Sequence, residues 1–107
     1  MGRYLFQGSY SAEGVKGVLK DGGTGRRTAI ETAIKSLGGK LEAVYFAFGE
    51  TDIYVIVDGL DKKQALAFSM GVGQSGTLAR VRTTELLAPE EIDAAAKTAM
   101  SYRAPGH

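Results

Sequence analysis

Apolar and polar positions alternate from Arg3 to Tyr10, with Tyr4, Phe6, Gly8 and Tyr10 on one side and Leu5, Gln7 and Ser9 on the other. A period of two is the signature of a strand. Ser11 is placed to cap a helix through Lys20, but Gly14 and Gly17 inside it each cost up to about 1 kcal/mol against alanine, so a weak or irregular helix is expected. Asp21-Gly22-Gly23-Thr24-Gly25 reads as a break. Beyond it Ile30, Ala33, Ile34 and Leu37 recur at helical spacing, and Gly38-Gly39 supplies the stop. Leu41, Ala43, Tyr45 and Ala47 then alternate with Glu42, Val44, Phe46 and Phe48, and Ile53, Val55 and Val57 alternate with Tyr54, Ile56 and Asp58. The short link Gly49-Glu50-Thr51-Asp52 makes these two strands a hairpin. Asp61 can cap a helix carrying Ala65, Phe68, Ser69 and Val72 on one face and ending in the glycines at 71, 73 and 76. Leu78 to Leu87 forms a last strand, with Ala79 and Val81 opposing Arg80 and Arg82, and Pro89-Glu90-Glu91 opens a final helix.

Strand, helix, strand, strand, helix, strand is the split βαβ order, so the expected fold is α+β, ferredoxin-like, with an appended C-terminal helix. Its helices cover one sheet face, and the apolar sets headed by Tyr4, Leu41, Ile53 and Ala79 are expected there. The other face then carries Leu5, Val44, Phe46, Phe48, Tyr54 and Ile56 beside Gln7, Glu42, Arg80 and Arg82. An aromatic ring buries roughly 150–250 Å², so this face left open exposes more apolar surface than a monomer usually carries. Another subunit is the expected cover, which makes Phe46, Phe48, Tyr54, Arg80 and Arg82 interface candidates in a homo-oligomer, a dimer first. Scattered exposed residues, or cover by the chain's own C-terminal helix, are the alternatives. Glu42 or Asp58 is in reach of pairing with the two arginines across strands.

Composition narrows the field. With 107 residues, 44% apolar and 23% charged, the chain has the size and balance of one globular domain, read as residues 1–100 with a flexible tail at 101–107. A formal charge of +1 gives no field to gather nucleic acid or an anionic membrane, so neither is an expected partner. There is no cysteine, which removes disulfides, thiolate nucleophiles and thiolate metal sites. Neither a secretory leader nor an apolar run of the roughly 18 residues that span a bilayer is read, and a cytoplasmic location is expected.

The single histidine is His107, at the end of the chain, so serine–histidine chemistry and histidine-rich metal sites are not expected, nor is a cofactor. Gly22-Gly23-Thr24-Gly25-Arg26-Arg27-Thr28 invites comparison with a phosphate loop, but the spacing is wrong and no strand precedes it. Arg26 and Arg27 stand at a helix start, where the dipole disfavours cations; a bound anion or an acidic partner relieves that cost, and the alternative is a plain solvated helix link. Tyr4, Phe6, Tyr10 and Tyr45 are expected to gather between sheet and helices, where core packing is the commoner role. Buried hydroxyls need partners, however, so the cluster also marks the best polar spot for a small, aromatic ligand. With Asp52 they are the candidate ligand-binding residues.

From about Arg3 to Glu91 the chain resembles the GYD-domain family, small bacterial proteins without an assigned biochemical role. The resemblance rests on Tyr4-Leu5 through Tyr10, Ala12-Glu13-Gly14-Val15-Lys16, Ser36-Leu37-Gly38-Gly39-Lys40-Leu41, Tyr45, Phe48-Gly49-Glu50-Thr51-Asp52, Tyr54-Val55-Ile56-Val57, Val81-Arg82-Thr83-Thr84 and Leu86-Leu87. It implies a dimeric α/β-barrel of the ferredoxin-like group. The motif that names the family falls on Gly49, Thr51 and Asp52, so the family's tyrosine is Thr51 in this chain. Either a phenol function is lost or an aromatic such as Tyr54 serves instead; alternatively, Gly49 and Asp52 only shape a turn. The functions in view are a small-molecule binding or accessory protein with an aromatic-lined pocket, a cofactor-free isomerase, cyclase or oxygenase acting on an aromatic or polyketide-like substrate, and a structural assembly subunit.

Overall fold

The computed structural model describes residues 1–107. Strand β1 (Gly2–Tyr10) leads into helix α1 (Ala12–Ser36), the hairpin β2 (Lys40–Phe46) and β3 (Ile53–Leu60), helix α2 (Lys62–Gln74), strand β4 (Leu78–Leu86) and helix α3 (Pro89–Ala96). The four strands form one sheet in the order β2-β3-β1-β4, every neighbour antiparallel. This is the ferredoxin-like α+β fold with a C-terminal helix, as the order of elements implied.

The core lies between the sheet and the helices α1 and α2. Tyr4, Phe6, Ile53, Val55, Val57, Ile34, Leu60 and Ala65 are its buried residues, supplied by alternate positions of β1 and β3 and by one stripe of each helix. Phe6 stacks with Tyr4 at 6.2 Å and meets Phe68 of α2 edge-on at 4.8 Å. Asp61 caps α2 by accepting from the Gln64 amide at 2.7 Å, while the Gln64 side chain accepts from the Asp61 amide at 2.9 Å, a complete capping box.

Helix α1 contains the expected short helix, break and second helix within one span. It continues from Ala12 to Ser36 with non-helical backbone only at Gly22, where φ is 75°. The expected break is thus a sharp kink at Gly22 between two helical segments, narrower than the run Asp21–Gly25, and its backbone of φ 75° and ψ 166° is one that glycine adopts and other residues do not. α2 likewise passes through Gly71 and Gly73 to Gln74, and the chain turns at Gly76, where φ is 76°.

The sheet has three register shifts, and those in β2 and β4 change the expected faces. In β2 the register slips between Leu41, opposite Val57, and Ala43, opposite Ile56. One extra residue reverses the alternation beyond it. Val44 and Phe46 thus point to the helices, with Phe46 against Gly23, while Ala43 and Tyr45 join Ile56 and Tyr54 on the far face. The expected placements of Tyr45 in the core and of Val44 and Phe46 on the open face are both corrected. Phe48 belongs to neither face: it lies in the link after β2, fully exposed. In β4 a slip between Ser9 and Tyr10 sets Arg80 opposite Ser9 and Leu78 opposite Tyr10. Leu78 therefore takes the core place expected for Ala79, which is exposed.

The far face of the sheet has no cover. Leu5, Ile56, Tyr54, Tyr45, Gln7, Arg80 and Arg82 lie on it by register. Helix α3, the intramolecular cover considered above, buries no residue. Arg3 pairs there with Glu42 at 2.5 Å and with Asp58 at 3.7 Å. Those carboxylates are thus taken on the β2–β3 side of the sheet, and the cross-strand pairing expected for Arg80 and Arg82 does not form. No helix is long and apolar enough to cross a membrane.

Candidate functional site

The end of β1 is fixed from both sides, and this places Tyr10. The Asp52 amide donates to the Gly8 carbonyl at 2.8 Å, and an Asp52 carboxylate oxygen accepts from the Tyr10 amide at 2.8 Å. Asp52 therefore acts on backbone, the turn-shaping role, and its carboxylate does not line the slot described below. One residue on, Ser11 caps α1 by accepting from the Gly14 amide at 3.0 Å and donates to the Gly76 carbonyl at 2.5 Å. Gly14 lets the helix sit directly on the chain entering β4, since a β-carbon there would lie 2.0 Å from the Thr77 carbonyl oxygen.

These anchors leave a small slot of about 50 Å³ between the covered sheet face and the two helices. Phe6, Ile30, Val55, Phe68, Val72 and Leu78 contribute its apolar wall, and Tyr10 and Arg26 its polar side. Arg26 is the only charged residue on the lining. It stands in the first turn beyond the Gly22 bend and makes one long contact, 3.4 Å, to Asp21. Burial pushes the Tyr10 phenol up, and the neighbouring Arg26 guanidinium pulls it partly back. Such a place can hold a small apolar group and one polar or anionic end.

Of the candidate ligand-binding residues, the structure brings Phe6 and Tyr10 to the slot. Tyr4 is buried one step further along β1, its phenol pushed up by burial and by Glu85 and Asp61. Tyr45 stands on the other side of the sheet. Arg26 and the α2 residues Phe68 and Val72 were not among the candidates. A signal existed: Arg26, Ile30 and Ile34 are spaced by four, so the arginine belongs to the stripe that enters the core.

A second, polar depression of about 280 Å³ lies on the open face, lined by Gln7, Ser9, Glu50, Thr51, Arg80 and Arg82 among others. Gln7 donates to the Thr51 hydroxyl at 3.3 Å, and Ser9 donates to the Glu50 carbonyl. Neither Arg80 nor Arg82 has a carboxylate within ion-pair distance. The family's tyrosine position, held by Thr51, thus borders the open face and not the apolar slot.

Comparison with curated proteins and with solved structures gives no match. The family model of the GYD domain matches residues 4–96, from the first core residue of β1 to the end of α3. The chain therefore belongs to the GYD-domain family.

Proposed function

We propose that this domain is a small-molecule binding or accessory protein that works as a homo-oligomer, a dimer first. The observation that carries the binding part is the apolar slot whose only charged lining residue is Arg26. The half-buried guanidinium borders an apolar wall with a single long ion pair, so it keeps donors that a ligand can meet. Tyr10, a hydroxyl held beside it by the Asp52 anchor, gives the same end of the slot a second hydrogen-bonding group.

Assembly is supported by area. The accessible surface is 7616 Å², whereas a folded monomer of this mass is expected to expose about 5,700 Å². The difference, about 1,900 Å², exceeds the ~800 Å² that each partner gives to a standard interface. The radius of gyration, 17.1 Å, likewise exceeds the roughly 13 Å of a compact chain this long. Part of the excess is the arm beyond β4, where Leu87, Ile92, Met100 and Tyr102 are exposed. A second copy is the favoured occupant of the open face, because a formal charge of only +1 does little to oppose the chain's own association.

Native mass spectrometry tests both parts at once. A multiple of 11.3 kDa carrying extra mass that leaves on denaturation is the expected result. A bare 11.3 kDa species at every concentration contradicts the assembly. A bare multimer that no small molecule stabilises against heat contradicts the binding role, since a ligand at 100 times its Kd adds about 2.7 kcal/mol.

A further inference from the structure

Size and polar inventory narrow what the slot can hold. Its volume, about 50 Å³, is about a third of the ~150 Å³ cavity that takes up benzene, so a tail of about three carbons fits and a ring does not. The lining's other polar side chains are engaged elsewhere. Gln7 donates to Thr51 across the sheet, Ser69 pairs with Thr83 at 3.2 Å, and Thr77 pairs with Ser75 at 2.9 Å. Arg26 is different: a guanidinium has five N–H donors in a planar fork, and only the long contact to Asp21 and the neighbouring Tyr10 hydroxyl engage it. That side of the slot therefore offers donors in excess, beside the Tyr10 hydroxyl, and repels a cation.

We propose that the slot binds a short-chain aliphatic carboxylate, its tail among Phe6, Ile30, Val55, Phe68 and Val72 and its carboxylate on the Arg26 guanidinium and the Tyr10 hydroxyl. The proposal rests on the reading of this slot as a binding site and names its ligand class. Carboxylate and guanidinium match as two-pronged partners. A phosphate ester fits less well, since its second charge would find no further cation on the lining. The anion also answers the placement of an arginine in the first helical turn after Gly22, where the macrodipole opposes a cation. Asp21 becomes the competitor: it contacts the Arg26 guanidinium and must give way to the ligand's carboxylate.

The test is a titration of the isotope-labelled full chain, followed by amide NMR shifts, with butyrate, butyramide and benzoate. Butyrate is expected to shift residues of β1, α1 and α2 around the slot, with butyramide at least tenfold weaker. Arg26→Gln should lose at least tenfold in butyrate affinity, and Asp21→Asn should gain a few-fold. Butyramide binding as tightly as butyrate overturns the carboxylate assignment while the slot remains a binding site; this comparison needs no variant and so survives any misfolding of Arg26→Gln. Benzoate binding more tightly than butyrate overturns the aliphatic class. If none of the three shifts the slot residues, the reading of the slot as a binding site fails with the proposal.

Discussion

The two faces of the sheet are built from alternate residues of the same strands, yet only one is finished. On the covered face Phe6, Val55 and Val57 are buried under α1 and α2, and the fit is close enough that glycine is required where α1 meets Thr77. On the open face Leu5, Ile56, Tyr54 and Tyr45 sit beside two arginines with no ion-pair partner, and no element of the chain packs over them. The covered face is completed by local sequence, helices that follow their own strands. Nothing within the chain reaches the open one. A sheet of this topology has its crossovers on one side, so the second side is left to whatever the protein meets.

The contrast can be broken most severely from the covered side. Ile34 is fully buried, and Ile34→Ala should cost about 2–5 kcal/mol in urea unfolding, a large share of a domain's total stability. A cost below about 1 kcal/mol would mean that α1 is not the lid of the core. Gly14→Ala should come next, at about 1–3 kcal/mol, because its new methyl meets backbone and not a movable side chain. A neutral result there would show that α1 is free to lift away from Thr77.

Substitutions on the open face should read out as association and leave folding nearly unchanged. Arg82→Glu is expected to weaken assembly by roughly tenfold and to change the unfolding free energy of the chain by less than about 0.5 kcal/mol. An unchanged mass would refute the placement of the interface on this face.

The smallest effect is alkaline. Tyr4 and Tyr10 have pKa values raised above 10.0 in the fold, which favours the protonated phenol in the folded state. Their contribution is therefore intact below pH 10 and is lost as pH rises through the raised values. Tyr4→Phe removes one of these groups, so its stability should fall less steeply above pH 10 than that of the unchanged chain. An identical alkaline slope would contradict the burial of that phenol.

The order of elements was legible in the sequence because each strand keeps its alternation and each helix its stripe. The sides of β2 beyond Leu41, and the start of β4 at Leu78 and Ala79, were not. A bulge adds one residue to one strand of a pair and leaves the composition untouched, so the alternation through Glu42 looks continuous while the faces exchange. That single slip moved Tyr45 out of the core and Phe46 into contact with α1. The slot was half legible. Phe6 and Tyr10 could be read from β1, whereas Arg26 looked like solvated helix because the glycines before it suggested a break. Its spacing by four from Ile30 and Ile34, within the helical segment that starts after the Gly22 kink, is what puts Arg26 on the inward stripe.

The division between a self-completed and an open face is tested most directly by sedimentation equilibrium of the unchanged chain beside Ile56→Arg, which sets a charge at the centre of the open face. A multiple of 11.3 kDa for the first and a folded 11.3 kDa species for the second is the predicted pair. The same mass for both, whether multimer or monomer, would contradict it.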